Sequence, residues 1–172
     1  MLNRQEILNE IHKTKEHLAN MEKMLEECEY ERWKPENGEI YFYVLSDGMV
    51  GQDSWDRPFA IDEGQRYNFY NCFKTREEAE AEAEKILVRR MLEDIARRLN
   101  KGEKIDWNNF DQNKYFISFN CATQLIERDF YNLKNKVQGV VYCLSDDFVS
   151  VAIQEIGEER LKRYMLGVYN DR

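Results

Sequence analysis

The chain has 172 residues, 42% of them hydrophobic and 13% aromatic, with a formal net charge of −8. That is enough apolar material for one domain plus an appendage, and it excludes a purely disordered tail. The negative balance argues against a general nucleic-acid binder, which needs a cationic face to neutralise phosphates, and suits a partner that is itself basic.

No run of eighteen or so apolar residues is present, so no membrane span is expected, and the opening MLNRQEILNE is too polar for a signal peptide. The four cysteines, Cys28, Cys72, Cys121 and Cys143, are far apart and form no CxxC pair. With no export signal they read as reduced and mostly buried, in a protein of the cytoplasm.

Residues 4–29 read as one helix. Ile7, Ile11, Thr14, Leu18, Met21, Leu25 and Cys28 alternate four- and three-residue spacings, a heptad seam of about three repeats. Two readings compete: the seam packs on the chain's own domain, or it forms a short coiled coil with a second copy or a partner. In the second reading Ile7, Ile11, Leu18, Met21 and Leu25 are the oligomerisation residues, and a homodimer follows. The expected division is therefore an N-terminal helix over 1–32 and an α+β domain over 33–172.

Trp33-Lys34-Pro35 ends the helix, because proline disfavours helical geometry in the residue before it. Asn37-Gly38 turns the chain into an expected strand over Ile40–Leu45. Ser46-Asp47-Gly48 is a turn signal with no obvious tight hairpin after it, so Gly51–Gln65 reads as a loop. From Glu36 to Lys74 there are seven acids against three bases. This loop region is either a solvated surface pinned by two aromatics or an acidic contact face. The second alternative nominates Asp47, Asp53, Trp55, Asp56, Phe59, Asp62 and Glu63 as partner-binding residues, since tryptophan and other rings concentrate at binding hot spots.

Arg66–Leu99 is the stretch that organises the rest. Tyr67, Phe69, Tyr70 and Phe73 suit a half-buried strand. Thr75 and Glu78 form the capping-box pair of a helix start, and the helix is expected to run to Leu99, stopped by Asn100-Lys101-Gly102. Ala79, Ala83, Ile86, Leu87, Met91, Ile95 and Leu99 give it a core stripe. Arg89, Arg90, Arg97 and Arg98 in its second half are laced with Glu93 and Asp94, either as a solvated salt-bridged face or as a nucleic-acid contact.

A second series follows: Trp107, a strand over Lys114–Asn120, an ambiguous stretch from Cys121 to Gln138, and a strand over Val140–Leu144. Ser145 or Asp146 then caps a helix that Gly157 ends or kinks, with a last turn at Glu158–Leu161 reaching Leu166. Aligning Phe73 with Cys143 also aligns Thr75 with Ser145 and Ala79 with Val149. The fold class expected is α+β: an antiparallel sheet of about four strands with two helices on one face. It divides into ββα units at 33–102 and 103–172, a duplication or two units obeying the same strand and cap rules.

Several chemistries lack their residues. His12 and His17 are the only histidines, so nothing after Leu18 can supply a histidine base for Ser-His or Cys-His catalysis. Five residues apart, they miss the usual helical zinc-ligand spacing. No glycine-rich phosphate loop appears among the eight glycines. Acids such as Asp106 and Asp111 could join the loop acids around Mg²⁺, which keeps a carboxylate-metal enzyme as an alternative. The leading expectation is no enzyme, no metal and no cofactor.

Three segments carry a resemblance. W-K-P-x-x-G-x-x-Y-F-Y at Trp33–Tyr43, N-C-F-K-T-x-E-E-A-E at Asn71–Glu80 and A-I-x-E-I-G-E-E-R-L-K-R-Y at Ala152–Tyr164 resemble small proteins encoded by phages and prophages of Gram-positive bacteria. Many of those place a heptad-like helix ahead of the same strands. The resemblance implies a phage accessory protein acting on a host system. Antagonists of bacterial defence, anti-CRISPR proteins included, are often small, acidic and non-enzymatic. The resulting expectation is a protein of the host cytoplasm that binds a host defence factor. The runner-up expectation is a nucleic-acid-binding regulator.

Overall fold

The computed structural model describes residues 4–28, 32–56, 61–131 and 136–168. It is α+β, with five helices and two separate two-stranded antiparallel sheets. The chain divides into two compact units, Met1–Lys34 and Pro35–Arg172.

The first unit contains α1 (Arg4–Cys28), whose seam residues Ile7, Ile11, Leu18 and Met21 are all exposed. Thr14 turns its hydroxyl back on its own helix, donating to the Glu10 carbonyl at 2.8 Å.

In the second unit β1 (Ile40–Val44) and β2 (Val50–Ser54) form a hairpin, with Tyr43 opposite Gly51 and Phe42 opposite Gln52. Gly48, at φ +88°, makes the turn, and Leu45 N–H bonds the Met49 carbonyl at 2.8 Å. The segment expected as a loop from Gly51 is therefore a strand. Polar Gln52 and Asp53 hide the alternation that would have marked it, and pairing with the aromatic β1 decides its state.

α2 (Ile61–Asn68) replaces both the end of that expected loop and the start of the expected strand Tyr67–Phe73. Asp62 and Glu63 in its first turn and Arg66 in its last suit the helix dipole. After it, Tyr70 takes a left-handed backbone (φ +59°), and Phe73 pairs with a strand through its backbone, bridging Phe42. The Asn71 side chain extends that edge in place of a strand, accepting from Val44 N–H and donating to the Val44 carbonyl, both at 2.8 Å.

α3 (Arg76–Leu99) starts as its sequence predicts. Thr75 Oγ1 accepts from Glu78 N–H while Glu78 accepts from Thr75 N–H, a complete capping box. Its buried stripe is Ala79, Val88, Leu92, Ile95 and Ala96, rotated from the expected one, which leaves Leu87 exposed. The reason lies in the partners: Val88, Leu92 and Ile95 pack with Cys143, Phe148, Ala152, Ile156 and Leu161, which the helical period alone cannot locate.

The second hairpin pairs β3 (Lys114–Asn120) with β4 (Leu125–Tyr131), so the middle of the ambiguous Cys121–Gln138 stretch is a strand, entered by a turn over 121–124. The expected strand Val140–Leu144 contributes one bridge, Cys143 to Tyr115. So among the described residues the strands make two two-stranded sheets and not the expected single sheet of about four. Each central strand, β1 or β3, is flanked by its own hairpin partner and by one bridging residue, because the third segment turns at once towards a helix.

α4 (Phe148–Ile156) starts at Asp147, without a side-chain cap; Ser145 Oγ accepts only from Asp147 N–H, at 3.3 Å. The cap expected at Ser145 or Asp146 is thus displaced. Gly157, at φ +96°, breaks the chain before α5 (Glu158–Tyr164), a conformation that β-carbon-bearing residues rarely adopt. Among the described residues no helix is long and apolar enough to cross a membrane.

Candidate functional site

Of the seven residues nominated as an acidic contact face, six are described, and two of those are buried. Trp55 is 3% exposed and packs edge-on against Tyr41 (5.7 Å between ring centres) and Tyr67 (6.1 Å). It holds the open end of the first hairpin together and presents no ring to solvent. Glu63 is also buried. Phe59 lies outside the described residues. Asp47, Asp53, Asp56 and Asp62 are exposed.

Asp53 is committed to Arg66, which donates to its carboxylate at 3.0 Å and to the Tyr41 hydroxyl at 2.7 Å. The same guanidinium lies 3.8 Å from the centre of the Tyr43 ring, a cation–π stack. That ring in turn lies over Gly51, where a β-carbon would come within 2.6 Å of it. Burial opposes the Arg66 charge, but its bonds to Tyr41 and Asp53 outweigh this and hold its pKa above the ordinary arginine value. For Tyr41 burial dominates, and it raises the phenol pKa despite the arginine. This hub fastens α2 to the hairpin. It is structural chemistry, and it removes Asp53 from the free negative charge of the surface.

What α2 fastens in place is the feature that the sequence reading assigned to a strand. Phe69 is 81% and Tyr70 75% exposed. They border an open groove of about 820 Å³ between the first hairpin's turn and the first half of α3. Its lining includes the apolar Leu45, Met49, Ala83, Ile86 and Leu87 and the charged Asp47, Arg76, Glu80, Glu82, Glu84 and Arg90. Phe69 also borders the shallow depression that contains Asp62 and Gln65. Two of the nominated acids, Asp47 and Asp62, therefore do flank an exposed ring, but the ring is Phe69 rather than Trp55. The left-handed Tyr70 places these side chains outward, and no local pattern in the sequence announces that turn.

The four arginines of α3 are mostly engaged. Arg89 bonds Glu93 at 3.0 Å, Arg97 bonds Asp94 at 3.0 Å, and Arg98 bonds Asp94 at 3.1 Å and Glu155 at 2.5 Å. The Glu155 bond is the main cause of a raised Arg98 pKa. Arg90 alone of the four lines the aromatic groove. Among the described residues no cluster of three or more histidine, cysteine, aspartate or glutamate side chains is placed to hold a metal ion.

Cys143 is buried beneath α3, its sulfur 3.1 Å from Asn100 Oδ1, and burial pushes its thiol pKa up, the opposite of nucleophilic activation. Cys72 is also buried. Comparison with protein-family models, with curated proteins and with solved structures finds no match to this chain.

Proposed function

We propose that the chain is a non-enzymatic accessory protein of phage type that binds a basic surface of a host macromolecule in the bacterial cytoplasm and blocks it. A nucleic-acid-handling defence factor, such as a CRISPR–Cas effector, is the class of target whose charge fits. The observation that carries this reading is the exposed pair Phe69 and Tyr70 beside a groove lined by apolar side chains and by four acids, Asp47, Glu80, Glu82 and Glu84, against two bases, Arg76 and Arg90. Large rings left in water together with apolar neighbours mark interaction sites. Lysines or arginines of a partner would meet these acids and stack on the rings. The net charge of −8 would speed the encounter and make it sensitive to salt.

Affinity capture from a Gram-positive host lysate, with the wild type and a Phe69→Ser/Tyr70→Ser variant side by side, tests the reading. It stands if one partner is recovered by the wild type, lost by the variant and weakened by added salt. Retention by the variant, or no partner in repeated captures, overturns it. Nucleic-acid binding through Arg89, Arg90, Arg97 and Arg98 has less support, because three of the four face carboxylates. A low-salt gel shift separates the two readings.

The paired hairpins also support reading the domain as a duplication. The bridges Phe42–Phe73 and Tyr115–Cys143 occupy matching places, each just before a helix-bearing segment. Relatives whose two halves align in this register would sustain that reading, and relatives in which the halves vary independently in topology would remove it.

A further inference from the structure

The seam of α1 is an apolar face within its own unit: Ile7, Ile11, Leu18 and Met21 are 47, 46, 57 and 54% exposed. A helix of this length with an open seam is marginal in water unless something covers it. We infer that α1 of a second copy covers it, forming a parallel, in-register two-stranded coil.

The charges beside the seam choose both the occupant and the direction. With Ile7, Thr14 and Met21 at one set of seam positions and Ile11 and Leu18 at the other, Glu10 and Lys15 fall on opposite flanks. In a parallel pair, a residue on the first flank faces the residue five positions later on the second flank of the other strand. Glu10 then meets Lys15 of the second copy, and twofold symmetry makes the contact twice. The antiparallel pair that keeps the whole seam overlapped sets each flank against itself. It puts Lys15 against Lys15 and His17 against His17 near the middle, like against like. The polar member of the seam does not spoil the parallel arrangement. Thr14 already satisfies its hydroxyl on the Glu10 carbonyl of its own helix, so it can be covered without leaving a donor unpaired.

The test uses the full chain in sedimentation equilibrium, where a dimer is expected. Lys15→Glu turns both flanking contacts repulsive and should weaken the dimer about tenfold. Glu10→Lys combined with Lys15→Glu should restore it, because the swap recreates opposite charges only in the parallel register. Direction is read independently by Ile7→Cys in a Cys28→Ser/Cys121→Ser background. Mild oxidation should link two copies, since parallel strands put the two sulfurs side by side, whereas the antiparallel pair separates them by about 27 Å along the axis. A wild type that stays monomeric at roughly 100 µM overturns the inference. So does a double variant no tighter than Lys15→Glu alone, or an Ile7→Cys variant that never cross-links.

Discussion

Tyr41 and Lys114 hold the same place in the two hairpins. Each directly precedes the residue that bridges to the third segment, Phe42 in one case and Tyr115 in the other, and both are fully buried. Their polar ends are satisfied in different ways. Lys114 donates to the carbonyls of Asn109 and Gln112, at 2.8 and 2.7 Å, a few residues earlier in the chain. Tyr41 accepts from Arg66, twenty-five residues later and on another element. The second hairpin is thus closed by its own approach loop, while the first needs α2. Among the described residues, only the first is followed by an added helix before its third segment, and with it come the exposed Phe69 and Tyr70. The exposed rings thus follow directly on the helix that supplies a partner to a buried hydroxyl.

The comparison is sharpest if its buried polar groups are removed. Lys114→Met strands two carbonyls and should cost about 2–3 kcal/mol in urea unfolding. Tyr41→Phe leaves Arg66 bonded to Asp53 and should cost about 1 kcal/mol. Equal costs would mean that the two positions are not distinguished by how their partners are supplied.

The helix starts form the next contrast. Thr75→Ala removes a complete capping box and should cost about 1 kcal/mol. Ser145→Ala, ahead of the uncapped α4, should cost no more than a few tenths. An effect of the opposite sign is expected at Tyr70, where glycine relieves the left-handed backbone. Tyr70→Gly should raise stability by about 0.5–1 kcal/mol while weakening partner capture, a sign that the strained residue serves the surface rather than the fold.

The smallest effect is a pH dependence at the alkaline end. The folded-state pKa values of Cys143 and Tyr41 both lie above their ordinary 9.0 and 10.0. The unfolded chain therefore releases these protons first, so the stability present at neutral pH declines as pH climbs past about 9 and then past about 10. Tyr41→Phe should flatten the second part of that decline and leave the first, as read by chemical denaturation at stepped pH.

Legibility in the sequence divides along physical lines. The Thr75–Glu78 pair, the strand Lys114–Asn120 and the break at Gly157 all appear where the sequence places them, because each signal acts within a few residues and needs no distant partner. Which rings are exposed is not legible, for the opposite reason. Trp55 and Phe69 are both aromatics in acidic surroundings, and nothing local says that one closes a hairpin beneath α2 while the other is left in solvent.

The sequence alone therefore determined the charge balance, the residue types that most catalytic chemistries would lack, and the elements whose start and stop signals are carried on neighbouring residues. Tertiary structure decided the rest. Whether Tyr67 belongs to a helix or a strand depends on Arg66 reaching Tyr41 and Asp53, and whether four strands make one sheet depends on single bridges at Phe73 and Cys143. Those contacts join residues tens of positions apart, and their free energy exists only once the chain has closed the loops between them.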